Sequence, residues 1–468
     1  MRCGRGLPNF GFAQSPFPFT LSDGDLGFLP FLFSIFKNML AKRSANHNGL
    51  FHMANTYKDA KEMYAKFGVD TEKAIKILDA IPLSMHCWQG DDVCGFETPD
   101  SGLAGDGIQT TGNYPGKARN PEELRADIDE ALKYIPGKTR LNLHAIYGEF
   151  GGKKVERNKI GYENFKGWVD WCKARNMGID FNPTYFSHPL VKDGQTLSSP
   201  DKGVRQYWIE HGIACRKIAE KIGKELGETV ITNFWMPDGM KDMPADRLAP
   251  RERMADSLDK IFKVKVAKKF NKDSLECKLF GIGSESYVVG SHEFVMGYTV
   301  KNGMLMTLDS GHFHPTETIS DKIPSALMFV PEVLLHVSRG VRWDSDHVVL
   351  FDDNTTAIMQ EIVRAGAIDK VHVGMDFFDA SINRIFAWAL GMRAARKSFL
   401  YALLEPLALM RKAENDVDFG LRLALMEEAR TLPFADVWAE YCRRTNKPCG
   451  LKMFEGIKKY EQKVLSKR

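Results

Sequence analysis

Four ionisable side chains fall within the ten residues LDSGHFHPTE: Asp309, His312, His314 and Glu317. The apolar run GMLMTL precedes them, so a strand-like segment delivers them to one place. Carboxylates and imidazoles gathered in this way do two kinds of chemistry: they pass protons and they hold cations. Comparable groups close other apolar runs: His86 with Trp88, His144, Asn182 and His188, Trp235 with Asp238, Glu276 with Lys278, His336, Asp344 with Asp346, and Asp376 with Asp379. No thiolate cluster accompanies them. Oxygen and nitrogen donors suit Mn, Mg, Co or Zn, and the excess of carboxylates favours the harder ions. Acids crowded at one mouth repel one another unless cations neutralise them, so a pair of metal ions is the expected resolution.

Each piece alone has a plainer reading. Glu276 and Lys278 read as a surface pair, and such pairs are common and weak. His336, among Leu334, Leu335 and Val337, reads as a core histidine, and the Asp-Ser-Asp of residues 344 to 346 as a turn. His314 reads as a neighbouring loop residue. Trp88, Trp235 and Trp343 read as core aromatics, although an indole face also suits the apolar side of a sugar. The metal-centred reading rests on the joint placement of these residues at the ends of apolar runs.

Those runs must be the elements that position the chemistry. They are IPLSMHCW (81 to 88), TRLNLHAIY (139 to 147), GIDFNPTYF (178 to 186), TVITNFWMP (229 to 237), LECKLFGIG (275 to 283), GMLMTLDSGH (303 to 312), VLLHVSR (333 to 339) and KVHVGMDFFD (370 to 379). Helical patterns alternate with them. NPEELRADIDEALKYIPG carries Asn120 at the N-cap, Pro121 at N1, Glu123 at N3 and Gly137 as a stop, and YENFKGWVDWCKARNMG is closed by Gly178. Eight strand-helix units give an α/β fold, a (β/α)8 TIM barrel, whose active site lies at the C-terminal ends of the strands. A doubly wound open sheet is the alternative, weakened because no GxGxxG turn follows the first strand.

After Asp379 the pattern becomes purely helical and too apolar for a solvated linker, so residues 381 to 468 are expected to pack as a C-terminal helical extension on the barrel or on a neighbouring subunit. The barrel is expected to span 53 to 380. Residues 89 to 120 form a long loop after the first strand, the kind that serves as a lid or binding loop. Residues 1 to 52, rich in Phe, Gly, Pro and Ser, read as a leader outside the fold; the apolar run 27 to 36 has no clear cleavage site and is short for a bilayer span.

With 64 basic and 60 acidic residues well mixed, the net charge of +4 gives no footprint for nucleic acid or membrane. Eight scattered cysteines without a CxxC pair suit free thiols in a reducing compartment, which makes the cytoplasm the expected location.

The blocks SMHCWQGDDVCGFE, TGNYPGKARN, RLNLHAIY, MPDGMKD, RLAPRER, KLFGIGSESY, LDSGHFHPTE, LLHVSRGVRWDSDHVVL and DFFDASINRI, in this order, resemble bacterial L-rhamnose isomerase from about Met53 onward. The resemblance implies a barrel of the xylose isomerase design, conversion of L-rhamnose to L-rhamnulose as the first step of rhamnose catabolism, and a homotetramer built partly by the C-terminal helices. It implies two divalent cations, Mn²⁺ in the catalytic site and a second such as Zn²⁺ or Mn²⁺ in the structural one. Glu276, Asp309, His336 and Asp376 resemble the structural ligands, and His312, Asp344 and Asp346 the catalytic ones. Lys278 and His144 resemble residues that contact the substrate, and Trp235 a wall of the sugar pocket. His86 and Trp88 are expected beside the sugar, with His144 the first candidate and His86 the second for opening the pyranose ring. Hydride shift and proton transfer through an enediol both suit these groups. A metal-dependent phosphodiesterase would need a basic groove that the balanced charge does not support, and a sugar-binding protein would not need two cation sites.

Overall fold

The computed structural model describes residues 56–97, 110–191, 193–279, 286–314, 316–342 and 344–468. The expectations placed on residues 1 to 52, on the middle of the 89 to 120 loop and on Trp343 lie outside the described residues. Eight parallel strands close a barrel: β1 (Leu83–His86), β2 (Thr139–His144), β3 (Ile179–Asn182), β4 (Val230–Trp235), β5 (Asn271–Glu276), β6 (Leu305–Asp309), β7 (Val333–Val337) and β8 (Val371–Met375). Each strand pairs with its neighbours in sequence, and β8 returns to β1. Seven of the eight apolar runs of the sequence hold one of these strands whole, and the run 275 to 283 overlaps only the end of β5. The short strands Gly239–Met240 and Tyr287–Val288 form a separate antiparallel pair.

Helices follow the strands for local reasons. The first helices, α1 (Tyr57–Lys66) and α2 (Thr71–Ala80), precede β1. In α3 (Pro121–Leu132) the Asn120 side chain accepts the Glu123 N–H at 2.9 Å, and the Glu123 carboxylate in turn accepts the Arg119 N–H at 2.9 Å. The start of this helix is therefore the capped one its sequence announces. The end of α4 (Lys166–Lys173) differs from expectation. Asn176, at φ 53°, takes the left-handed position, while Gly178 stands at the foot of β3, where a Cβ would lie 2.2 Å from Nη1 of Arg140. Close approach of a side chain, not a helix stop, requires glycine there.

The remaining helices are α5 (Lys202–Leu226), α6 (Ala249–Lys263), α7 (His292–Asn302), α8 (Ile319–Ala326), α9 (Asp353–Arg364), α10 (Arg384–Leu403), α11 (Leu407–Asn415), α12 (Phe419–Ala429), α13 (Phe434–Arg444) and α14 (Lys452–Lys463). Helix α10 packs on the barrel: Trp388 donates its indole N–H to the His86 carbonyl at 2.8 Å. Deeper along the same helix, buried Arg396 donates to the carbonyls of Leu78, Ile81 and Lys138, at the entries to β1 and β2. No helix among the described residues is long and apolar enough to cross a membrane.

Strand register decides what points into the barrel, because side chains alternate along a strand and paired residues of parallel strands share a face. His86 is level with Asn142, His144 with Asn182, Trp235 with Glu276, Glu276 with Thr307, Asp309 with His336, and His336 with Gly374. Two residues lower on the inward face of three adjoining strands come Asn233, Ser274 and Leu305. Ile231, Leu305 and Leu334 form a small apolar cluster of their own, separate from the main core between strands and helices. Beside it, toward the strand entries, lie ion pairs: Arg140 with Asp180 and Glu228, and Glu332 with Lys272 and His372. The barrel interior therefore has a mixed ionic and apolar floor and a polar mouth.

Candidate metal centre and substrate pocket

At the mouth, Glu276, Asp309, His336 and Asp376 bring one ligand atom each within 4.8 Å of one another, and Asp309, His312 and Asp344 do the same. Asp309 belongs to both groups. Four strand ends, β5 to β8, supply the first group, and the turn after β6 carries His312 back to the same place. That turn is held by the Asp309 carboxylate, whose Oδ1 accepts the Gly311 N–H at 2.6 Å.

His312 is oriented through its other nitrogen: Nδ1 donates to the Cys277 carbonyl at 2.8 Å, leaving Nε2 2.9 Å from the Lys278 ammonium and 3.4 Å from Asp344 Oδ2. Fixing one imidazole nitrogen in this way commits the other to a ligand role. Lys278 also pairs with Asp344. Burial opposes the Lys278 charge, but Asp344 and Asp346 outweigh it and raise its pKa. His336 Nδ1 lies 3.3 Å from both Glu276 Oε2 and Asp376 Oδ2.

The cluster has an unmet demand for positive charge. Burial, opposed by His312 and reinforced by Asp376, Glu276 and Asp344, pushes Asp309 up to about 8. Burial and the neighbouring carboxyls of Asp344, Asp376 and Asp309 drive Asp346 well above the usual carboxylate range. Several buried donor atoms have no hydrogen-bond partner: Asp309 Oδ2, Asp344 Oδ1 and both ring nitrogens of His336. Buried polar atoms are normally paired, so convergent orphans of this kind fit divalent cations. Asp346 stands outside both close groups; its backbone, at φ 44°, accepts the Phe378 N–H.

Aromatic rings wall the remaining space. Trp235 lies over His312 with centroids 6.2 Å apart, Phe186 meets Trp235 at 5.5 Å, and Trp88 meets His144 at 4.8 Å. Trp88 also ties the wall to the acids, donating its indole N–H to Asp376 at 3.0 Å. His144 contacts the Thr184 hydroxyl through Nδ1 at 3.1 Å, and burial lowers its pKa to about 3. Burial likewise lowers His86, whose two ring nitrogens are unpartnered, to about 4. Both imidazoles are therefore neutral near pH 7.

Other residues that closed apolar runs lie elsewhere or serve the frame. Asp238 is a buried structural carboxylate that accepts N–H and O–H groups of Thr196 and Ser198. His188 stacks on Tyr207, and Asp379 caps the turn at Ser381. His314 is exposed, and Glu317 pairs with Lys322 at the surface. Sequence reading also missed contributors. Phe186 and Phe377, whose ring meets that of His86 at 4.3 Å, carry no chemical signal. Asn233, which donates to Glu276 Oε2 at 2.5 Å, was legible only through its position two residues before Trp235 on the inward face.

Gly311 gives a direct check on this geometry. A Cβ there would fall 2.4 Å from Asp344 Oδ1 and 3.3 Å from Asp309 Oδ1. Gly311→Ala is expected to displace Asp344 and lower kcat by about 10²-fold, the scale of a small misplacement at a reacting centre. Steady-state turnover checks it, and unchanged kcat would contradict the placement of Asp344.

Known proteins resemble this chain. A curated L-rhamnose isomerase of Rhodopirellula baltica is 55% identical over 417 residues, covering 89% of this chain and 97% of the relative. That of Mannheimia succiniciproducens is 57% identical over 412 residues, covering 88% and 98%. Among solved structures, an L-ribulose 3-epimerase aligns with 72% of this chain and 97% of its own at 14% identity and a TM-score of 0.45. The family described as L-rhamnose isomerase (RhaA) matches residues 51–468, and the chain belongs to that family.

Proposed function

We propose that this chain interconverts L-rhamnose and L-rhamnulose, an aldose to ketose isomerisation, at the barrel mouth with divalent cations held by the carboxylates and imidazoles described above. The observation that carries the reading is the pair of buried ligand groups joined at Asp309, in a chain of the L-rhamnose isomerase family. Glu276, Asp309, His336 and Asp376 would hold the structural cation, Zn²⁺ or Mn²⁺. His312, Asp344 and Asp346 would hold the catalytic one, Mn²⁺. Bound there, a divalent cation supplies Lewis-acid polarisation of the sugar oxygens and a fixed template for them.

The chain's own residues do the rest. Lys278, lodged between His312 and Asp344, presents an ammonium group to the oxygen of the reacting carbonyl. The rings of Trp235 and Trp88 take the apolar face of the sugar and exclude water from it. His144, neutral and within reach of the pocket, accepts or returns a proton as the pyranose opens, with His86 beneath it. A methyl substituent on the sugar needs only an apolar patch, so related aldoses are turned over as well.

The protein acts in the cytoplasm, as a homotetramer built partly by its C-terminal helices. Phe419 and Leu423, one turn apart on α12, are each more than half exposed, an apolar patch that suits a subunit contact.

The test is ketose formation from L-rhamnose by chelator-treated protein with and without added Mn²⁺. Turnover is expected to vanish on chelation and to return with the cation. Protein that binds Mn²⁺ and leaves L-rhamnose unchanged would refute the assignment.

A further inference from the structure

Beneath the metal centre, a run of polar side chains crosses three strands inside the barrel. Ser274 Oγ lies 2.6 Å from Thr307 Oγ1, Thr307 Oγ1 donates to Asn233 Oδ1 at 2.7 Å, and Asn233 Nδ2 donates to Glu276 Oε2 at 2.5 Å. All four residues are buried, and Ser274 and Thr307 are fully so. We propose that Asn233 is a positioning residue for cation binding: the Ser274–Thr307–Asn233 chain fixes the amide so that its N–H holds Glu276 in the orientation a cation requires.

The direction of the chain follows from the donors available. Thr307 has one hydroxyl hydrogen, and Asn233 Oδ1 takes it, so Thr307 must accept from Ser274. With Oδ1 committed as an acceptor, the amide can turn only its N–H toward Glu276. A flipped amide would set Oδ1 against the Glu276 carboxylate, two acceptors in buried contact, although Thr307 could then turn its hydrogen to Ser274. The carboxylate oxygen that Asn233 engages is the one nearer His336, while Oε1 lies 3.1 Å from His312 Nδ1. Glu276 thus takes its hydrogen bond from Asn233 of β4 and has the imidazoles of the β6 turn and β7 beside its two oxygens. It meets a cation without a rotamer search, and groups that support ligands in this way change metal affinity by about 10- to 100-fold.

This inference rests on the reading of Glu276 as a ligand, and the experiment separates the two. Chelator-stripped wild type, Glu276→Gln, Asn233→Ala and Thr307→Val are titrated with Mn²⁺ by calorimetry, and each stripped protein is melted to check its fold. Glu276→Gln is expected to abolish one site. At that same site Asn233→Ala is expected to raise Kd by about 10- to 100-fold, and Thr307→Val, which removes the hydroxyl at nearly constant shape, by a smaller factor. In turnover assays the Mn²⁺ concentration for half activation rises in both variants, while kcat at saturating Mn²⁺ returns toward wild type.

Unchanged Mn²⁺ affinity in Glu276→Gln would remove Glu276 as a ligand. A normal Kd in Asn233→Ala and Thr307→Val, with the site lost in Glu276→Gln, would overturn the positioning role alone. Should Asn233→Ala fail to fold, Thr307→Val decides the question by itself.

Discussion

Asp309→Asn is expected to lose Mn²⁺ at both sites and to lower turnover by about 10³-fold, the scale of removing a group that stabilises charge in the transition state. Asp309 is the one residue common to both ligand groups, and it is fully buried. Its Oδ1 accepts the Gly311 N–H, and its Oδ2, which has no hydrogen-bond partner, is open to the cations. An amide keeps the shape but turns either a neutral oxygen or an N–H toward them. The cation-free fold should hardly notice, because burial and crowding already favour the uncharged form of this carboxyl, pushing it up to about 8. Stripped wild type and stripped variant should therefore melt together. Added Mn²⁺ should raise the melting temperature of the wild type and leave the variant where it was, since a ligand stabilises only a fold that binds it. A variant that still binds two cations per chain would refute the shared role.

Lys278→Met is expected to separate cation binding from chemistry. The ammonium pairs with Asp344 and approaches His312 Nε2 at 2.9 Å, so it occupies the region where those two ligands converge. Removing it takes away a competing positive charge, and Mn²⁺ affinity should stay level or rise. Turnover should fall by about 10²- to 10⁴-fold, because among the described residues Lys278 is the only lysine or arginine paired with Asp344. The pair of measurements is a Mn²⁺ titration by calorimetry and steady-state kcat at saturating Mn²⁺. Lost affinity with normal kcat would assign Lys278 to the frame instead.

The barrel was legible because its strands are apolar runs separated by capped helices, and physical causes explain where the reading slipped. For β5 the expected run began at Leu275, but the strand starts at Asn271. Its first residues, Asn-Lys-Asp, look like a turn. They are strand residues because Asp273 faces Arg216 of α5 at 2.8 Å, and Lys272 faces Glu332 on the barrel floor at 2.6 Å. Partners distant in sequence satisfied the polar groups, and no local pattern announces that. At the mouth, charged and aromatic residues were visible as types. Which of them converge depends on register, which puts Asp309 level with His336 and sends His314 and Glu317 to the surface. Asp238 looked like a site acid and proved structural, since its four donors come from a loop forty residues upstream. Asn233 was overlooked because a neutral amide in mid-strand has no signature until its neighbours are known.

The acids, imidazoles and indoles of the site gather at the C-terminal ends of the strands, while the strand entries beneath them are occupied by the Ile231, Leu305 and Leu334 cluster and by ion pairs. A sugar seated in the site meets solvent at the mouth, and hydrogen from bulk water can enter by the same door as the substrate. Deuterium carried from heavy water into carbon-bound positions of the product becomes a record of whether that door stood open while the hydrogen was in transit.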